Sequence, residues 1–299
     1  MQKQQASSPT KTALVVEGGG MRGIFSAGIL DAFMDKRYRQ FDGFYGVSAG
    51  ALNLVSFIAG QRGRNLDLYT GACLEPHFIS LKRHMKGGNL FDLDWLFDRI
   101  QRQHMNIDKF RSNLQGKQFS VVTSCANTGY PVYHSFDEHF DLDQLFTVLK
   151  ASSALPMIYR NAIAIDERNH VDGSLADPLP IMKAVEDGYQ QIVVLRSRES
   201  QFRKKSSSAN RLLAWQFRKQ PEIAELIRQQ YSIYNETLDS LDELKRKGIS
   251  ITEIAPDAQL SSTRSTRDRA RLVSDYHKGY SAGFSLLQQL NQAELAHPA

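Results

Sequence analysis

At 299 residues and 41% hydrophobic content, the chain can bury one large core, or a core with a smaller appendage, which excludes disorder of the whole. Its 37 Lys and Arg exceed its 32 Asp and Glu by only 5, and the excess is local: residues 196–219 carry eight basic side chains against Glu199 alone. That pattern points either to one basic loop beside an anionic surface such as a membrane or to a solvated flexible loop, and away from a protein that coats nucleic acid.

Cys73 and Cys125 are too few for a disulfide framework and lack metal-ligand spacing, so they read as core thiols in a reducing compartment, with no metal or other cofactor called for. Residues 1–11 are polar and read as a flexible tail. The apolar run at 13–16 is too short for a signal peptide, and no segment approaches the roughly 18 apolar residues of a membrane span. The expected setting is cytoplasmic, with peripheral lipid contact through 196–219. The sequence carries no signal of oligomeric state.

In chain order, residues 12–17 read as a buried strand and 23–36 as a helix with Ile24, Ala27, Leu30 and Phe33 on one side. Residues 42–47 read as a second strand and 49–59 as a second helix. Strand, glycine loop, helix, strand, tight turn and helix together predict a three-layer α/β/α fold around a mainly parallel sheet. Residues 60–115 lose this rhythm and read as helical pieces of an insertion covering a site. An alternating stretch around Asn127-Thr128-Gly129 predicts a hairpin. Residues 141–156 read as a helix capped by Asp141 and stopped before Pro156. A strand, turn and short strand precede a loop from Val171 into another helix, and "QQIVVLRS" is a further buried strand. The basic, Ser-rich segment behind it reads as a mobile loop. The tail predicts a helix over 221–247 with the stripe Ile223, Leu226, Ile227, Tyr231, Tyr234, Leu238, Leu241 and Leu244, a short strand, and a last helix over 268–295.

The loop "EGGGMRG" admits three readings. Gly18, Gly20 and Gly23 match a dinucleotide fingerprint, Gly18 to Gly23 match the start of a P-loop, and the loop amides could also face an oxyanion. Against the P-loop, Ile24 and Phe25 stand where Lys and Ser/Thr are required. Against the dinucleotide fold, the acid that should end the second strand is Asp42, which begins it. The second strand ends in Gly46-Val47-Ser48-Ala49-Gly50, a G-x-S-x-G at a strand-to-helix junction. There a nucleophilic serine needs glycine neighbours because side chains would collide with nearby backbone.

Ser48 needs a base. A histidine following an acid late in the sheet would complete a triad, but His277 falls inside a helix, His297 lies beside the chain end and His170 is a strand residue beside a turn. Asp172, at the end of a short strand with Gly173 allowing a tight exit, is the better candidate, as one half of a Ser-Asp dyad. Its plain alternative is a turn aspartate capping the next helix, a role Asp177 fills equally well.

"GGGMRG", "GVSAG", "ASSALP" and "DGS", in that order and on these elements, resemble the patatin-like phospholipase family. The resemblance spans residues 13–180 and implies a catalytic core over 12–188, with 189–299 completing or covering it. It implies a serine acyl hydrolase of lipid carboxylic esters that works through an acyl-enzyme. Ser48 would be the nucleophile, Asp172 the proton acceptor, and the loop Gly18, Gly19, Gly20, Met21, Arg22 and Gly23 the oxyanion hole. Gly46 and Gly50 shape the elbow and Gly173 the turn. Ser174 departs from the family's Asp-Gly-Gly or Asp-Gly-Ala.

An ordinary aspartate, with a pKa of about 3.9, is a poor base at neutral pH, short by about 4 kcal/mol of one poised at 7. One oxyanion donor supplies about 2.7 to 4 kcal/mol, so two amides offset that deficit and burial of Asp172 narrows it. Arg22 reads either as a cation that fixes the loop or attracts an anionic head group, or as a solvated residue at a helix start. Ser152 and Ser153 read as helix-end packing. The apolar residues of 90–97 line an acyl channel or belong to ordinary core. Two other classes stay open: a nucleotide- or phosphate-binding protein using Gly18–Gly23, and a membrane-surface scaffold with an inactive site.

Overall fold

The structure is a computed structural model that describes residues 10–102 and 105–296. Residues 1–9 of the expected tail, and His297, lie outside the described residues.

The elements run β1 (Thr12–Val16), α1 (Ile24–Asp35), β2 (Gly43–Val47), α2 (Ala49–Ile58), α3 (Arg64–Thr70), α4 (Leu81–Met85), α5 (Leu93–Arg102), α6 (Ile107–Leu114), β3 (Gln118–Cys125), β4 (Pro131–Phe136) and α7 (Leu142–Ser152). They continue with β5 (Ile163–Ile165), β6 (Arg168–Asp172), α8 (Ile181–Glu186), β7 (Gln191–Leu195), α9 (Ser208–Gln216), α10 (Pro221–Arg246), β8 (Ser250–Ile254) and α11 (Arg269–Ala296). The strands form an eight-stranded sheet in the order β5-β6-β3-β2-β1-β7-β8, with β4 also paired to β3. The central pairs β3-β2, β2-β1, β1-β7 and β7-β8 are parallel, while β4, β6 and β5 add antiparallel pairs at one side.

Successive residues of the central strands are buried on opposite faces. Leu14, Val16, Phe44, Val193 and Leu195 join the core beneath α1 and α2, whereas Ala13, Val15, Tyr45, Ile192 and Val194 pack beneath α8 and α10. Helices on both faces of a parallel sheet account for strands that are apolar on both sides, and establish the expected α/β/α architecture. The hairpin turns at Gly129 (φ 74°). Asp141 caps α7 by accepting from the Gln144 amide at 2.7 Å.

The last helix is wedged against the first. A Cβ at Gly28 would collide with the Tyr276 carbonyl, and one at Gly279 with the Phe25 carbonyl, so α1 and α11 meet backbone to backbone. Tyr276 also donates to Asp31 at 2.7 Å.

One expectation needs correction. The stretch 198–211, read as a mobile loop, runs into a helix, α9 (208–216), because Ser207 supplies a cap to the Asn210 amide at 3.1 Å. Just before that stretch, Arg196 is buried and paired with Glu253 at 2.9 Å. Among the described residues no helix is long and apolar enough to cross a membrane.

Candidate active site

Ser48 sits between β2 and α2 with φ 53° and ψ −125°, a conformation that costs a non-glycine residue free energy and persists only where the surroundings enforce it. Both flanking glycines are forced by close approach. A Cβ at Gly46 would lie 2.5 Å from the Ala51 Cα, and one at Gly50 would collide with the Val16 carbonyl. The Ser48 amide donates to the Ser152 hydroxyl at 2.8 Å in a buried setting. Ser152 therefore does more than close the end of α7: it holds the elbow in place. Ser153 bonds back to the Leu149 carbonyl at 3.0 Å and lines the same cavity.

Asp172 reaches Ser48 through the register of β3. Val122 pairs with Val47 at the end of β2, and the next residue, Thr123, pairs with Asp172 at the end of β6. The chain then has to turn sharply, and a Cβ at Gly173 would collide with the Val122 carbonyl. The Asp172 carboxylate accepts from the Ser174 amide at 2.8 Å, so the plain reading is correct as well, and Asp172 caps a single helical turn. Burial pushes its carboxyl above the usual carboxylate range, opposed by the Ser174 amide and hydroxyl, the Arg264 charge and a side-chain hydrogen bond from Ser48. Asp177 is turned elsewhere and accepts from Tyr133 at 2.8 Å and the Leu179 amide at 3.1 Å.

No histidine lines the cavity among the described residues. His170 is buried and bonded through Nδ1 to Thr123 Oγ1 at 2.8 Å, and His134 meets the same hydroxyl at 2.9 Å. His277 is exposed on α11.

The glycine loop leaves β1 and passes over the elbow. Its amides are not equivalent: Met21 donates to the Arg264 carbonyl at 3.0 Å and Arg22 to the Gly19 carbonyl at 3.3 Å. Among the described residues no hydrogen bond uses the amides of Gly18, Gly19 or Gly20. The amides of Met21 and Arg22 are thus engaged within the protein. Gly20 adopts φ 58°, and a Cβ there would lie 2.6 Å from the Arg264 carbonyl, so only glycine suits this turn. Gly23 accepts from Asn53 Nδ2 at 2.7 Å. Arg22 is 8% exposed and its Nε has no hydrogen-bond partner among the described residues, which replaces the solvated reading with a buried cation at the site.

Gly18 to Arg22, Ser48, Ser153 and Asp172 line a cavity of about 180 Å³. Part of its lining is apolar, supplied by Leu68, Tyr69, Phe78, Phe91, Leu93 and Leu96 from the 60–115 insertion. Of the 90–97 run, Phe91, Leu93 and Leu96 line the cavity and Phe97 packs in the core. Another part is basic: Arg22 is joined there by Arg198, Lys204 and Arg264. Sequence reasoning missed the positions of these last three. Local charge density marked the stretch holding Arg198 and Lys204, and nothing marked Arg264. Among the described residues no group of three or more His, Cys, Asp or Glu is placed to hold a metal ion.

The chain matches a family model described as patatin-like phospholipase over residues 14–185 and a domain of unknown function, DUF6363, over residues 220–293. It is 36% identical over 195 residues to the uncharacterized protein YjjU of Escherichia coli (strain K12), a match covering 64% of this chain and 54% of that protein, so it spans about half the length of this curated relative. The crystal structure of VipD from Legionella pneumophila aligns over 94% of this chain and 67% of its own at 14% identity, with a TM-score of 0.42, too low to bear on fold or function. The patatin-like model takes in more than half of the residues, and it contains the glycine loop, the Ser48 elbow and Asp172; the chain belongs to the patatin-like phospholipase family.

Proposed function

We propose that the chain is a serine acyl hydrolase acting on lipid carboxylic esters through a Ser48-Asp172 dyad. The observation that carries this reading is the meeting of a serine on a strained, glycine-flanked elbow with a buried carboxyl at one cavity, where no histidine of the described residues is present. Asp172 takes the Ser48 proton as Oγ adds to the ester carbonyl. The resulting oxyanion is met by amides among Gly18, Gly19 and Gly20, which have no other partner within the described residues. Collapse of the intermediate returns the proton to the departing alcohol and leaves an acyl-enzyme. Asp172 then draws a proton from water, which adds to the acyl carbonyl, and the free acid leaves as Ser48 regains its proton. The raised pKa of Asp172 makes it a stronger base than an exposed aspartate and reduces what the oxyanion hole must supply.

The apolar lining of the cavity suits the acyl chain. Outside it, α9 exposes Leu212 and Trp215 beside Arg211, Arg218 and Lys219, a combination suited to shallow contact with an anionic lipid surface.

Fluorophosphonate labelling of the full chain tests the chemistry. Wild type is expected to be labelled at Ser48, Ser48→Ala to be unlabelled, and Asp172→Asn to react slowly; undiminished labelling of the Ser48 variant would sink the assignment.

A further inference from the structure

The basic lining of the cavity carries more charge than the hydrolytic reaction needs. Arg22, Arg198, Lys204 and Arg264 contribute to it against two carboxylates, Glu17 and Asp172. Glu17 is already engaged by the Ser197 amide at 2.5 Å, and Asp172 by Ser174. None of the four cations forms an ion pair among the described residues. They are close enough to oppose one another. Burial, then Arg198 and Arg264, pull Arg22 down to about 10, and burial, then Arg264 with Arg22, pull Lys204 down to about 8. Four crowded cations around two carboxylates leave an excess of positive charge in a partly buried setting, and a ligand that brings negative charge relieves it.

Three of the four cations lie outside the patatin-like match. Arg198 and Lys204 follow β7. Arg264 belongs to a strap between β8 and α11 that is pinned at both sides: its carbonyl receives the Met21 amide, and Ser262 is held by Asp275 at 2.7 Å through both amide and hydroxyl. Two aromatic rings beside these residues are already covered by protein cations, Phe202 by Arg198 at 4.5 Å and Tyr234 by Lys204 at 4.6 Å. A quaternary ammonium placed among the four cations would be repelled by them and would find both of these rings occupied.

We propose that Arg22, Arg198, Lys204 and Arg264 form a site for a terminal phosphate group, so that the preferred substrates are acylated glycerol phosphates with an unblocked phosphate, ahead of phosphocholine lipids and uncharged glycerides. Guanidinium groups suit phosphate because they grip two oxygens at once. The acyl chain then lies against the apolar lining and the phosphate among the cations, with the ester beside Ser48. This assignment rests on the hydrolase reading for its ester, and on the cation cluster alone for its phosphate.

Two measurements on the full chain separate those claims. Calorimetric titration of the Ser48→Ala protein with glycerol 3-phosphate and with glycerophosphocholine is expected to show binding of the first, at least about tenfold tighter than the second. Arg264→Gln and Lys204→Met should each weaken it about tenfold or more, and Arg264→Lys less. Thermal melting verifies that each variant is folded. Hydrolysis by wild type of 1-oleoyl glycerol 3-phosphate, 1-oleoyl glycerophosphocholine and 1-oleoylglycerol in the same micelles should rank in that order of kcat/KM. Equal rates without glycerol 3-phosphate binding would overturn the phosphate site while leaving the hydrolase intact. Inorganic phosphate that binds without competing with the oleoyl esters, together with equal rates, would also overturn it, marking a free-anion site. Cation-dependent binding of glycerol 3-phosphate with no hydrolysis of any ester would sustain the phosphate site and remove the hydrolase reading.

Discussion

The part of the cavity built before β7 and the part built after it are made by different means. Before β7, the reacting groups are held mainly by backbone: the elbow by Gly46 and Gly50 with help from the Ser152 hydroxyl, Asp172 by strand register and the Ser174 amide, the glycine loop by its turn at Gly20. After β7, the contribution is charge on long side chains, Arg198, Lys204 and Arg264, carried by a loop and a strap. Groups that must meet a reacting atom need positions held to fractions of an ångström, which backbone supplies. Groups that neutralise a phosphate act through a slowly varying field, and long side chains suffice. The two parts are nonetheless one packed body, since α11, within the DUF6363 match, is wedged on α1 directly behind the glycine loop.

That wedge offers the largest effect. Gly279→Leu should destabilise the whole protein by about 3 kcal/mol or more, because the new side chain would have to displace the Phe25 carbonyl. An unchanged melting temperature would show that the two parts are not packed as described.

Ser152→Ala acts within the backbone-held part. It leaves the buried Ser48 amide without its acceptor, an expected loss of about 1–3 kcal/mol that should lower kcat more than it raises KM. Ser152→Thr should restore most of it; wild-type kcat and melting in the alanine variant would break the positioning role.

The pH profile connects the two parts. As the base of the proposed dyad, Asp172 would have to be ionised to accept a proton, and burial raises its pKa, so kcat/KM should fall on the acid side with a midpoint above that of an ordinary aspartate. The Ser174 hydroxyl and the Arg264 charge both favour the ionised form. Ser174→Ala and Arg264→Gln should therefore move the acid limb to higher pH, Ser174→Ala the further of the two, and an unmoved limb in both would sever Asp172 from the rate. Ser174, where the family usually has Gly or Ala, then acts as a positioning and tuning residue.

The smallest effect is on phosphate binding. The groups facing Lys204 are Arg264 and Arg22, which lower its pKa, and Glu17 and Asp172, which raise it, with burial dominating and bringing it to about 8. Glycerol 3-phosphate affinity should rise as the phosphate loses its second proton near pH 6 and fall above about pH 8 as Lys204 discharges. Lys204→Met should remove the alkaline fall, and a fall that persists would assign it to another group.

Much of this was legible in the chain because it is local. Hydrophobic runs and helical spacing marked the central strands and flanking helices, Asp141 marked a cap, and the glycines around Ser48 marked an elbow whose steric need is settled within a few residues. Three features were not legible. Helix α9 was hidden by its basic, Ser-rich context, although Ser207 carried the cap. Ser152 resembled ordinary helix-end packing, because its partner, the Ser48 amide, lies 104 positions away. Arg264 stood in a stretch with no motif.

By itself, the sequence determined which residues could do chemistry: a serine in an elbow, an aspartate before an obligatory glycine, and a loop rich in amides. These follow from short-range sterics and hydrogen-bonding capacity. Only the tertiary structure decided which of them meet. Pairing β6 to β3 one residue beyond β2 brings Asp172 to Ser48, the strap occupies the Met21 amide and leaves those of Gly18 to Gly20 without partners among the described residues, and Arg264 is carried to a cavity far from it in sequence. Such contacts depend on strand register and on backbone carbonyls arriving from distant segments, and no periodicity or spacing along the chain encodes them.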